Sequence, residues 1–259
     1  MIDLHCHVIP GVDDGPATLE DSVRLARVAA AEGTRVLVAT SHVSHRYPNT
    51  SERIRDGVER VNGALREEEI AVEVVPGAEV ALDILGRLDR EELGRLALGG
   101  AGPSLLLEAP LGAVGGELED AVRELQRAGF GVVLAHPERC PSFHRDSDRL
   151  RALVATGVLC SLTASSFTGR FGRPVEALSR RLLADGLVHN VASDAHGPES
   201  RPPALRSTLD AAAARIPGLG ALVPWLTEGA PGAILAGDPL PPAPSAPPSR
   251  RRRWLGWRG

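Results

Sequence analysis

A chain of 259 residues can bury one large core, and α/β barrels of this length commonly form a single domain. With 43% hydrophobic and 24% charged residues, the composition is that of an ordinary globular protein and excludes a disordered or fibrous chain. The net charge of −4 includes five arginines near the carboxyl end, Arg250, Arg251, Arg252, Arg253 and Arg258. Without them the body carries −9, which argues against nucleic acid as the main partner.

Three cysteines, Cys6, Cys140 and Cys160, are too few and too scattered for a disulfide framework, and they fit a reducing cytoplasm. Met1-Ile2-Asp3-Leu4-His5 enters folded-looking sequence without a charged leader, and no apolar run reads as long enough for a membrane span.

In chain order, a strand over residues 2–7 leads to a helix over 18–31, then strand 35–40 to helix 50–68. Strands 71–75 and 104–108 follow, then helix 116–127, strand 131–135, helix 147–156, strand 158–162, helix 175–184, strand 188–192 and helix 203–215. Thr18 is placed to cap the first helix, with Asp21 three positions on. Gly33, Gly129, Gly157 and Gly186 stand where helices should stop.

Seven short strands with helices between them predict an α/β fold closed, or nearly closed, into a barrel. An open doubly wound sheet is the alternative, although no Gly-x-Gly-x-x-Gly follows any strand. A single domain over 1–237 is expected, with a Pro/Arg-rich flexible tail over 238–259, because six prolines from Pro239 to Pro248 suit neither helix nor sheet.

The polar residues at the strand ends carry the chemistry. His5 and His7 close the first strand, followed by His42, Glu79, Glu108 and His136 after later ones, and Asp194 and His196 after the last, with Asp14 in the first loop. In a parallel barrel the carboxyl ends of all strands open on one face. A lone strand-end histidine is more often a satisfied polar group; nine potential ligands on one face are not so explained. They exceed what one ion accepts, and mixed imidazoles and carboxylates suit two or three Zn, Mn or Fe ions rather than Ca.

Arg139 and Arg201 stand just beyond those positions, and a guanidinium presents a planar fork that fits phosphate oxygens. No cysteine has an arginine six residues later, as cysteine phosphatases require, so the expected nucleophile is a metal-activated water. His45, His144 and His189 lack the strand-end pattern.

These residues carry a resemblance. Met1-Ile2-Asp3-Leu4-His5-Cys6-His7, Val12-Asp13-Asp14-Gly15-Pro16, Thr40-Ser41-His42, Gly77-Ala78-Glu79, Leu107-Glu108, Ala135-His136-Pro137-Glu138-Arg139, Ala192-Ser193-Asp194-Ala195-His196 and Arg201-Pro202-Pro203 appear in that order. The sequence resembles, over roughly residues 1 to 237, the bacterial protein-tyrosine phosphatases of the PHP (polymerase and histidinol phosphatase) superfamily found in capsule and exopolysaccharide loci. The resemblance implies a distorted seven-stranded β/α barrel and a manganese-preferring cluster of up to three ions, with Fe or Zn as alternatives. It also implies hydrolysis of phosphotyrosine on a partner bacterial tyrosine kinase.

Carried over by position, the resemblance makes His5, His7, Asp14, His42, Glu79, Glu108, His136, Asp194 and His196 metal ligands. Arg139 and Arg201 would hold the phosphate. Cys140 departs from the aromatic residue that often follows this block, and Cys6 between two ligands would bring sensitivity to oxidation or a softer metal.

Two other readings stay open: a phosphatase for a small phosphomonoester such as histidinol phosphate, and a non-catalytic regulatory scaffold. The tail, with Arg250 to Arg253, Trp254, Leu255, Trp257 and Arg258, suits weak contact with an anionic membrane at the inner face, and equally suits a solvated end. Tyr47 is the one tyrosine, so a phosphotyrosine substrate is a separate protein.

Overall fold

Val, Leu and Ile at the predicted strand positions form short parallel strands in the computed structural model, which describes residues 1–100, 102–109 and 116–244. These strands are β1 (Ile2–Cys6), β2 (Val36–Ala39), β3 (His42–Val43), β4 (Glu73–Pro76), β5 (Glu79–Ala81), β6 (Ser104–Glu108), β7 (Gly131–Ala135), β8 (Leu159–Thr163) and β9 (Asn190–Ala192). Among the described residues, nine segments thus stand where seven were expected, in a three-stranded sheet β1-β2-β4 and a six-stranded sheet β3-β5-β6-β7-β8-β9.

The excess comes from two bends. The expected second strand ends at Ala39 and pairing resumes at His42, and the third stops at Pro76 and resumes at Glu79, so each stretch serves both sheets. Backbone bonds run across the bends, Thr40 N donating to the Cys6 carbonyl at 3.0 Å and Glu79 N to the Ser41 carbonyl at 3.2 Å. At the other side Asp194 N donates to the His5 carbonyl at 2.8 Å and His7 N to the Ala195 carbonyl at 2.9 Å, so the chain after β9 runs beside β1.

Register aligns the carboxyl ends. Glu108 lies opposite Ala135, Ala135 opposite Ser161 and Ser161 opposite Asn190. Alternate residues bury on opposite faces: Leu105, Leu107, Val132 and Leu134 belong to the larger apolar cluster, Leu106, Val133 and Ala135 to a smaller one with Leu4, Val38, Leu98 and Ile234. Burial on both faces is why the strands read as continuous apolar runs.

Helices α1 (Leu19–Ala31), α2 (Ser51–Glu67), α3 (Arg90–Leu96), α4 (Glu117–Arg127), α5 (Pro141–Arg145), α6 (Ser147–Ala155), α7 (Arg173–Ala184) and α8 (Leu205–Ala213) follow the strands. In α1 the Thr18 hydroxyl accepts from Asp21 N at 3.1 Å, and in α4 the spacing of Leu118, Val122 and Leu125 puts one apolar face on the core. Helices α3 and α5 are absent from the sequence-based expectation, being too short to show a period.

Leu219–Ala236 corrects another expectation: this helical stretch of 18 residues is apolar and long enough by composition to span a bilayer. Here it packs on the domain instead, Leu226 and Ile234 entering the two clusters and Asn190 Nδ2 donating to the Leu226 carbonyl at 3.1 Å. Its middle turn, Trp225–Gly229, is widened to π geometry just after Pro224, which cannot supply a helix donor. Trp225 Nε1 donates to the Pro241 carbonyl at 2.8 Å. The arginines and tryptophans expected to touch a membrane lie outside the described residues.

Candidate metal centre

The site starts with an irregularity in β1. Pairing with β2 shifts register between Asp3 and Cys6, so Leu4 joins the smaller apolar cluster and Cys6 the larger, although they are two apart. His5 and His7, two apart, both face the site, and Cys6 between them packs into the larger cluster. Their Nε2 atoms lie 3.3 Å apart.

The first loop holds His7 from behind. Asp13 Oδ2 meets His7 Nδ1 at 2.9 Å and accepts from His42 N at 3.0 Å, while Asp13 Oδ1 accepts from Gly15 N at 2.9 Å. With a proton on Nδ1, the Nε2 lone pair is aimed at the cluster. Gly15 must be glycine because a Cβ there would sit 2.9 Å from the His7 carbonyl oxygen.

Glu79 sits in the middle, fully buried at the start of β5 and in register with His42 of β3. Its Oε2 lies 3.2 Å from His5 Nε2, 3.3 Å from His7 Nε2 and 3.1 Å from His42 Nδ1, and its Oε1 lies 2.8 Å from His136 Nε2. His136 follows β7 and Asp194 follows β9, with φ of 32° and 52°, a left-handed backbone that non-glycine residues adopt at a cost. Among the described residues, two of the three non-glycine positions with positive φ thus fall at the cluster, the third being Glu69 after α2.

All nine sequence-predicted positions are brought together. Ligand-capable atoms fall into four overlapping groups: His7, Asp14, His42 and His196; His5, Glu79 and His136; His5, His7 and Asp194; and His42, Glu79 and Glu108. Asp14 and Glu108 form the open side, with side chains 48% and 22% exposed. Both predicted arginines converge on one oxygen, Arg139 Nη1 lying 2.6 Å and Arg201 Nη2 2.5 Å from Asp194 Oδ2. Arg139 also lies over the Phe171 ring, 4.6 Å from its centroid.

The electrostatics favour added positive charge. Burial would lower the His7 pKa, but its bond to Asp13 and the Glu79 carboxylate beside it outweigh this and push it up to about 10. Burial likewise opposes ionisation of Glu79 and Asp194, yet His5 and His136 hold both well below the usual carboxylate range. Burial and the neighbouring Glu79 charge push Glu108 up to about 7.

The donor set fits divalent cations. Glu79 Oε2 is buried with no hydrogen bond despite three imidazole nitrogens close by, and buried His136 Nδ1 has none either. Close contact without hydrogen-bond geometry is the arrangement of ligands around a shared ion, and imidazoles mixed with carboxylates suit borderline transition metals.

His45, His144 and His189 lie apart: His45 pairs with Asp83 at 3.0 Å, His144 Nε2 meets the Glu138 carbonyl at 2.7 Å, and His189 Nδ1 accepts from Cys160 N at 3.0 Å. Cys6 is buried, burial with the nearby Asp3 and Asp194 charges pushes its thiol well up, and it belongs to none of the four ligand-capable groups among the described residues. Three supporting acids were missed, all beside motif residues. They are Asp13, Asp3, which accepts from Ser193 N at 2.9 Å, and Glu138, which accepts from Thr163 N at 2.9 Å and Ser166 Oγ at 2.7 Å. Each stands next to or within two residues of a proposed ligand, so residue type and spacing alone do not set it apart.

The family model described as capsular polysaccharide synthesis, CpsB/CapC, matches residues 1–217. The chain belongs to the CpsB/CapC family. It is 35% identical over 203 residues to tyrosine-protein phosphatase YwqE of Bacillus subtilis, covering 78% of this chain and 79% of that one. It is 28% identical over 218 residues to tyrosine-protein phosphatase CpsB of Streptococcus pneumoniae, covering 81% and 88%. A solved structure from work on YwqE of Bacillus subtilis and CpsB of Streptococcus pneumoniae, described as unique metal-dependent tyrosine phosphatases, superposes with a TM-score of 0.83 at 33% identity. It covers 94% of this chain and 99% of that one. A β-aspartyl dipeptidase from Fervidobacterium islandicum shares the fold alone, with a TM-score of 0.59 at 12% identity and coverage of 91% and 72%.

Proposed function

We propose that this CpsB/CapC family member is a metal-dependent phosphomonoester hydrolase that removes phosphate from tyrosine on a separate protein, a bacterial tyrosine kinase of capsule or exopolysaccharide synthesis. The observation that carries the reading is the overlap of five imidazoles and four carboxylates, with two arginines meeting at Asp194 beside them. The names of the YwqE and CpsB relatives supply the substrate class. The enzyme works in the cytoplasm in this reading, on a domain of residues 1–237 followed by the tail 238–259. The two sheets form one distorted barrel, a reading supported by the bonds from β1 to the chain after β9.

His5, His7, Asp14, His42, Glu79, Glu108, His136, Asp194 and His196 would hold two or three ions, manganese first, with iron or zinc as alternatives. When bound, such ions polarise phosphoryl oxygens and lower the pKa of water. Asp13 fixes the ring of His7 so that one nitrogen always faces the cluster. Arg139 and Arg201 give the phosphate a pair of planar forks, and Asp194 keeps both oriented by sharing one oxygen between them. Phenolate leaves readily, so little demand falls on a general acid.

The test is hydrolysis of a phosphotyrosine peptide and of a small alkyl phosphomonoester by protein stripped with chelator, then resupplied with Mn, Fe, Zn or Mg. Activity on the peptide that returns with metal is expected. Activity confined to the small ester would favour a metabolite phosphatase, and none with any metal a scaffold.

A further inference from the structure

A cavity of about 200 Å³ opens beside Arg201, between the turn that follows β8 and the start of α8, on the same carboxyl-end face as the cluster. Its polar lining is Ser165, Thr168, Arg170, Ser193, Arg201 and Thr208, and no carboxylate lines it. Two guanidiniums and four hydroxyls without an acid are unusual on a chain of net charge −4. The two guanidiniums and the Ser165 and Thr208 hydroxyls offer donors to an anion, while Thr168 Oγ1 already donates to the Ser165 carbonyl at 3.1 Å. Arg201 spans the two places: its Nη2 forms an ion pair with Asp194 at 2.5 Å but makes no hydrogen bond, and the same side chain walls the cavity. Arg170 Nη2 donates to the Ser200 carbonyl at 2.5 Å, which holds the second guanidinium on the loop that carries Arg201.

We propose that this cavity is a subsite for an acidic side chain of the substrate, an Asp or Glu within one or two residues of the phosphotyrosine. The proposal rests on the phosphatase reading and adds a sequence preference to it. The cavity has room for a carboxylate-bearing side chain. Consecutive Cα atoms lie about 3.8 Å apart, so a neighbour of the phosphotyrosine reaches a pocket one arginine away from the cluster. Selection then acts through the substrate's own sequence, independently of the groups that meet the phosphate.

The test compares phosphotyrosine peptides carrying Asp, or Asn in its place, at each of the two positions on either side of the phosphotyrosine, with p-nitrophenyl phosphate as the small reference ester. The metal-loaded full chain should show kcat/KM about five- to tenfold higher for Asp than for Asn at one position or more, the range for a partly exposed charge-assisted bond. Thr208→Leu, which fills the cavity, should bring that ratio towards one and leave hydrolysis of p-nitrophenyl phosphate unchanged, and Arg170→Gln, which removes one charge and its bond to the Ser200 carbonyl, should bring the ratio towards one whatever its effect on the small ester. Equal rates for Asp and Asn at every position, or a ratio indifferent to Arg170→Gln, would overturn the subsite while the phosphatase reading stands. Failure to hydrolyse both peptides and small ester would remove both.

Discussion

The two ends of the same strands do different work. At the amino ends the chain leaves a helix through a positive-φ glycine, Gly33 before β2, Gly129 before β7, Gly157 before β8 and Gly186 before β9, and enters apolar sequence at once. At the carboxyl ends the backbone bends or turns left-handed, and ionisable side chains face one another within about hydrogen-bond reach. One end is built for folding and the other holds buried charges that destabilise each other unless an ion or a proton joins them. Substitutions should therefore divide cleanly, those at one end changing stability and those at the other changing chemistry.

The largest break should come at the centre. Glu79→Gln keeps the shape but removes the charge that four imidazole nitrogens approach, and turnover of phosphotyrosine peptide should fall by more than about a thousandfold with loss of bound metal. Normal metal content and turnover in the folded variant would take Glu79 out of the cluster. Arg139→Ala should lower turnover by roughly a hundred- to a thousandfold while metal content stays at the parental level if the guanidinium serves the phosphate as proposed; a fall in metal content would instead trace to its ion pair with Asp194. Asp13→Asn loosens the support of the His7 ring and of the His42 backbone, so metal affinity should fall by about ten- to a hundredfold, read by titration against a competing chelator.

A pH dependence sharpens the same contrast. Glu108 in the metal-free fold is pushed up to about 7, so it binds a proton that the unfolded chain has already released. The stability this proton adds is present in full below the ordinary carboxylate range and is lost as pH rises through about 7. A ligating carboxylate must be deprotonated, so metal binding should release protons and tighten from pH 6 to pH 8. Glu108→Gln should flatten that slope, and an unchanged slope would assign the proton elsewhere. The smallest effect belongs to the amino ends: Gly157→Ala, at φ +94° with open space around it, should cost about 1 kcal/mol of stability in a denaturation curve and leave turnover unchanged.

Much of the strand-end pattern was legible because chemistry and packing use different residue types there. His5, His7, His42, Glu79, Glu108, His136, Asp194 and His196 stand out against Val, Leu and Ala, and the sheet then brings them together. The interruptions at Ala39–His42 and Pro76–Glu79 were not legible, since a bend between two sheets leaves no trace in hydrophobic periodicity. Leu219–Ala236 was hidden by its glycines and prolines, which its packing on β1 and β9 overrides. Asp13 could not be separated from Asp14 by spacing; only the fold shows that one turns inward to His7 and the other outward to His42 and His196.

The most direct test of the cluster is anomalous scattering from crystals of the full chain grown with manganese, recorded at the metal edge. The account predicts two or three peaks bounded by Glu79, Asp194 and the five clustered histidines. Peaks only elsewhere on the surface, from a preparation that is active on phosphotyrosine peptide, would contradict it.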